Sequence, residues 1–281
     1  MPTGHRYGLS LAVLSDCTRT PARLAVRPPA GPASRGHYPR GVDDAYPGGG
    51  DQRDQDPRDD DLDPDYVAGA VDLLGVLAYE ELTTYQSLSV HAFSAPDLAA
   101  RVALCRYAAA DFEHILLIES RLGELGSTLE EAMAPFADAI DDLNLRTRAE
   151  TWLEGLVKAT VTDGIIADFY GELSRLVDPR TRRVVAATVA DDAKRQHLMQ
   201  VVHDHVVPES TEASRLSLWG RRLVGETLTQ AQQLVADREA MGGLLVGTVE
   251  RPGADLGEIG AILRRVTERH AERMTRMRLT A

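Results

Sequence analysis

Cysteine is nearly missing from this chain: Cys17 and Cys105 are the only two in 281 residues. Two thiols so placed imply neither a disulfide framework nor a thiolate metal site, so a reducing cytoplasm is the expected compartment. Lysine is as scarce. Of 31 basic side chains only Lys158 and Lys194 are lysine, the rest being arginine. No apolar run approaches the ~20 residues of a spanning helix, and no membrane partner is expected. The one stretch with the look of an export signal, "YGLSLAVLSDC", has an apolar segment barely long enough, and Asp16 is ill placed before a cleavage point. Positive charge is in deficit, with 31 Lys and Arg against 43 Asp and Glu and a formal net charge of −12. Affinity for phosphates needs clustered Lys and Arg, so nucleic acid is disfavoured as a partner, although charge alone does not exclude tRNA. Strand alternation is also lacking beyond residue 65.

What is present divides the chain in two. Residues 1–65 are dense in Pro, Gly, Asp and Arg, as in "RPPAGPASRG" and "YPGGGDQRDQDPRDDDLDPD", and are expected to be a disordered leader. Residues 66–281 turn to Ala, Leu, Val, Glu and Arg at helical spacing, which predicts an all-α domain. Helices are expected at about 66–92, 97–125, 148–176, 180–206, 210–240 and 254–278, with breaks at Pro96, Gly126, Pro179, Pro208 and "RPGAD". The first four read as an antiparallel bundle over about 66–206, with a longer link between the second and third, and two accessory helices over about 210–278 cover it.

The stripes that should face the core carry charge. The first helix runs Val67, Val71, Leu74, Ala78, Glu81, Tyr85 and Leu88 along one seam, with Glu80 on its flank. The second puts Asp111 and His114 on the face of Leu104, Ala108, Ile115 and Ile118. The third has the row Trp152, Leu156, Thr160, Asp163, Ala167 and Tyr170, leaving Asp168 off it. The fourth has Val184, Thr188, Asp191, Arg195 and Leu198, with Lys194 beside Asp191. Each helix thus directs one carboxylate inward. Four unpaired buried carboxylates would repel one another, so a shared cation is the natural physical reading, and carboxylates with imidazole in a bundle suit iron or manganese.

The blocks "LLGVLAYEEL", "AAADFEHILLIESRLGELG", "AMAPF", "WLEGLVKATVTDGIIADFYGEL", "LWGRRLVGETLTQAQ" and "PGADLGEIGAILRRVTERH", in this order, resemble actinobacterial ferritin-like proteins related to the tRNA-modifying hydroxylase MiaE. The resemblance covers nearly all of residues 67–280. It implies a ferritin-like four-helix bundle whose metal positions fall on Glu81, Asp111, His114, Asp163, Asp191 and position 194. The chain departs from the family pattern twice, with Asp111 in place of a Glu and Lys194 where a His is expected. The second departure removes a ligand and adds a positive charge, so at most one iron or manganese ion is expected.

The plainer alternative is a metal-free network in which Lys194 and Arg195 neutralise the same carboxylates. His197 lies about 60° round the helix from Lys194 and is a weak replacement ligand. His203 and His205 read as a solvated helix end, and His270 belongs to an accessory helix. Two functions follow: a metal-dependent oxidase or hydroxylase of unknown substrate, and a non-catalytic scaffold in which Lys194 replaces a metal. Its partner would be a small molecule, another protein or a second copy of the chain.

Overall fold

The computed structural model describes residues 62–246, 253–254 and 256–281, all within the compact unit Asp51–Ala281. The expected leader, up to residue 61, and the piece ending at Cys17 lie outside the described residues. Among the described residues the structure is helical throughout, without strands, as the periodicity predicts. No described helix is long and apolar enough to cross a membrane.

Helix α1 (Pro64–Phe93) starts where the Asp63 carboxylate accepts from the amides of Asp65 and Tyr66, with Pro64 at a position whose missing N–H costs nothing. A short link leads to α2 (Leu98–Glu124), capped by Asp97. The link to the third bundle helix is not a plain loop. Thr128 and Glu131 form a capping box that starts α3 (Leu129–Met133), a 3-10 turn follows over Ala134–Phe136, and α4 (Ala137–Arg146) completes the crossing. A second capping box, Thr151 with Glu154, opens α5 (Trp152–Leu173).

The expected helix over about 180–206 is two. Helix α6 (Pro179–Val189) ends, and the chain restarts as α7 (Asp192–His205) with Asp191 as its N-cap. Asp191 leaves helical geometry, with ψ at 59°, and its carboxylate accepts from the Lys194 amide at 3.1 Å. An Asp that satisfies an orphan N–H competes well with continuation of a helix, and periodicity alone does not reveal that competition. The expected helix over 210–240 likewise ends early, as α8 (Thr211–Asp237), and is followed by α9 (Glu239–Val246) after the extended Arg238. Helix α10 (Leu256–Arg276) closes the chain.

Contacts between helices give their directions. Glu81 meets His114 and Tyr85 meets Phe112, so α1 and α2 are antiparallel. His91 lies against Gly155, and Thr84 reaches Asp163, so α5 is also antiparallel to α1 and therefore parallel to α2. That corrects the simple antiparallel order: the long crossing through α3 and α4 lets α5 enter from the same end as α2. Helix α10 packs on α5 through Asp168–Arg273 and Glu172–Arg265 ion pairs.

The apolar core falls into two blocks. One gathers Leu88, Leu104, Leu156 and Leu198; the other gathers Leu73, Leu77, Ile118, Phe136 and Leu173. On α1 the second block stops at Ala78 and the first resumes at Leu88; on α2 they part between Ala108 and Ile118. Glu81, Asp111 and His114 stand in those gaps, as a polar layer across the bundle. Helix α1 also comes very close to its neighbours: a Cβ on Gly75 would run into the Ala132 carbonyl oxygen.

Candidate metal centre

Asp111 is fully buried, and its Oδ1 lies 2.5 Å from the Lys194 ammonium, itself 4 % exposed. The same ammonium stands 3.2 Å from Asp163 Oδ2 and 4.0 Å from Asp191 Oδ2. On the other side, His114 Nδ1 lies 3.1 Å from Glu81 Oε2. One ligand atom from each of Glu81, Asp111 and His114 can be chosen so that all lie within 4.8 Å of one another. Asp111 Oδ2 is buried and has no hydrogen-bond partner.

All six positions expected from sequence therefore meet in one layer, but on two sides. Glu81, Asp111 and His114 form a three-donor pocket. Asp163 and Asp191 face the ammonium, and Asp191 spends its Oδ1 on capping α7. Asp163 Oδ1 accepts from Thr84 Oγ1 at 3.4 Å, and its Oδ2 has charge contact with Lys194 without hydrogen-bond geometry.

Burial raises the Asp111 carboxyl to about 7, with Asp163 and Glu81 adding to the rise against the pull of Lys194. Burial also favours the neutral amine at Lys194, but Asp163 and Asp111 outweigh it and hold the ammonium above its ordinary range. Burial lifts Glu81 despite His114, and the hydrogen bond to Glu81 lifts His114.

Other expected participants lie elsewhere. Arg195 lines the hollow over Asp163, Asp191 and Lys194, but its guanidinium donates to the Val189 carbonyl and to Asp192. His197 pairs with the Tyr107 hydroxyl at 2.6 Å. His203 pairs with Asp204, and His205 sits edge-on to Trp152. Asp168 is held by Arg273 and Arg269, off the row as predicted.

Glu80 was assigned to a flank, and the structure gives it a larger place. It lines three adjoining hollows: one over Lys194, Asp163 and Asp191, one beside Lys158 and Asn144, and an apolar cavity of ≈ 230 Å³ between α5, α8 and α10. Burial, reinforced by Asp163, raises its carboxyl to about 7. At Lys158, one of the two lysines, burial lowers the amine to about 8 against the pull of Glu80 and Asp163.

The donor set fits one divalent ion. Two carboxylates and an imidazole suit iron or manganese, and an orphaned buried carboxylate oxygen is an acceptor without a donor. The Lys194 side does not fit a second ion, because a fixed positive charge already holds Asp111 and Asp163.

A helical bundle with one long crossing and a carboxylate–imidazole layer across its middle is of the ferritin-like class. Residues 64–248 match the family described as "Ferritin-like domain, actinomycetes", and the chain belongs to that family. No curated protein matches the sequence.

Proposed function

We propose that this protein is a ferritin-like metalloprotein reduced to a single metal position. Glu81, Asp111 and His114 would hold at most one divalent iron or manganese ion, with Lys194 standing where a second ion and its histidine would be. The observation that carries this reading is the division of Asp111, whose Oδ1 is held by Lys194 while Oδ2 has no partner beside Glu81 and His114. A bound ion would supply redox and Lewis-acid chemistry for oxidising or hydroxylating a small molecule. Around it, the two apolar blocks flank the polar layer, and the Glu81–His114 contact orients both ligands. The resemblance to MiaE supports a hydroxylase, while the net charge of −12 speaks against RNA as its substrate.

The Lys194 contacts also favour a second reading, a non-catalytic scaffold whose ammonium neutralises the layer without metal. Free, exposed Cys105 supports a reducing, cytoplasmic setting. Self-association is supported by the exposed row Leu98, Val102, Phe112 and Leu116 on α2, where Arg101 flanks the first part and Glu113 the last. Two copies paired antiparallel along this row would set opposite charges against each other.

Metal analysis of protein purified without added metal tests the main reading. One equivalent or less of iron or manganese per chain is expected, and two would overturn it. Lys194→His should raise that content, and unchanged content in a folded variant removes Lys194 as the cause. A wild type that takes up no metal when offered either ion leaves the scaffold.

A further inference from the structure

The apolar cavity between α5, α8 and α10 is walled by Ile165, Phe169, Leu228, Ala231 and Leu263, and the polar residues on its lining include Glu80, Thr227 and Gln230. Glu80, Leu143, Ile166 and Thr227 also line the small hollow containing Lys158, Asn144 and Asp163, so the apolar space adjoins a polar one across these side chains.

Thr227 behaves unlike other threonines in the bundle. Thr160, Thr162 and Thr188 each donate to a carbonyl in the preceding turn, which is the usual way a buried helical hydroxyl is satisfied. Thr227 is 5 % exposed and its Oγ1 has no hydrogen-bond partner. A buried hydroxyl left so costs free energy unless something else meets it. Charges in the adjoining hollow are already opposed. Lys158 donates to Asn144 Oδ1 at 2.8 Å and faces Glu80 and Asp163, and Asp163 in turn faces Lys194.

We propose that this cavity binds an uncharged amphiphile, with its hydrocarbon body among α5, α8 and α10 and a hydroxyl or carbonyl head hydrogen-bonded to Thr227 Oγ1. A dry cavity of about 150 Å³ accepts benzene, so this one suits a body of roughly nine non-hydrogen atoms. An anionic head would meet the carboxylates of Glu80 and Asp163, and a cationic head would lose its hydration beside the Lys158 ammonium, whereas a neutral head completes the unmet Thr227 hydroxyl. The head would lie against Glu80, whose other side faces the hollow over Lys194. The inference rests on the proposed metal reading only for the ligand's role as substrate; binding itself requires no metal.

Calorimetric titration of metal-free protein with 1-octanol, octanoate and octylamine tests it. One octanol per chain is expected, bound at least about tenfold tighter than either charged analogue, and Thr227→Val should weaken octanol severalfold, the worth of one net hydrogen bond. Ala231→Phe fills the cavity and should abolish binding with the helical circular dichroism unchanged; Leu263→Phe serves from the α10 side if that variant does not fold. The proposal is overturned if octanol fails to bind, if the three heads bind equally, or if folded variants with a filled cavity bind octanol as the wild type does. Metal content is unaffected by any of these results, so failure here is distinct from failure of the metal reading.

Discussion

Replacing Lys194 by Met removes the ammonium while keeping the length and apolar stem of the side chain. Coulomb's law at an effective dielectric of ~20 assigns roughly 6–7 kcal/mol to the 2.5 Å contact with Asp111 and about 5 kcal/mol to the 3.2 Å contact with Asp163. Much of that is offset by the cost of burying the charges, and breaking a buried pair from one side costs about 3–5 kcal/mol net. In metal-free protein Lys194→Met should therefore lower Tm by roughly 6–20 °C, at ~2–4 °C per kcal/mol for a domain of this size. Thermal and denaturant unfolding in the presence of a chelator measure this. The double variant Asp111→Asn with Lys194→Met leaves no orphaned charge at that contact and should recover at least about 2 kcal/mol over Lys194→Met alone. Manganese should then stabilise Lys194→Met more than it stabilises the wild type, because the displaced charge opens both sides of the layer. A Lys194→Met protein within about 1 kcal/mol of wild type, or a double variant no better than the single, refutes the view that this lysine balances the carboxylates.

Three more outcomes are expected. Gly75→Ala would drive a methyl into the Ala132 carbonyl oxygen, and the backbone shift should cost about 2–3 kcal/mol in denaturant unfolding. His270 is 3 % exposed and its pKa falls from 6.5 to about 4, through burial and then Arg273, so its neutral form stabilises the fold above pH 6.5. As pH drops from 6.5 to about 4 the unfolded chain takes up the proton first, and about 3 kcal/mol should be lost; His270→Leu should flatten that part of the stability–pH curve. Leu98→Asp with Phe112→Asp should turn a self-associated protein into a monomer in sedimentation analysis, and a wild type that is monomeric at all concentrations ends that reading.

The layer was legible because polar residues interrupt otherwise apolar stripes. Asp111 between Ala108 and Ile115, and Glu81 between Ala78 and Tyr85, keep the core spacing while violating its chemistry. The break at Asp191 was not legible, since the run from Val184 to Leu198 keeps helical spacing while the carboxylate's preference for the α7 amide ends the helix. The crossing through α3 and α4 is legible only as length, because each piece is shorter than the window of about 11 residues over which a helical stripe is read. Glu80 lies on the flank, and what its position in the stripe does not tell is what packs there. A flank position is exposed only if nothing packs there, and the cavity walls from α8 and α10 come from residues nearly 150 or more positions away in the chain.

Both lysines lie in or against the interior: Lys194 within the polar layer and Lys158 in the hollow that adjoins the cavity. With every other basic side chain an arginine, amine-directed reagents have only these two ε-amino groups to modify. The two groups should differ sharply in a folded molecule: Lys158, half-buried and losing its proton at about 8, should acylate first, while Lys194, buried and held charged well beyond that, should be almost inert. Acylation at Lys194 would then report the opening of the polar layer itself, and the kinetics of that labelling would give the rate at which the centre of the bundle comes apart.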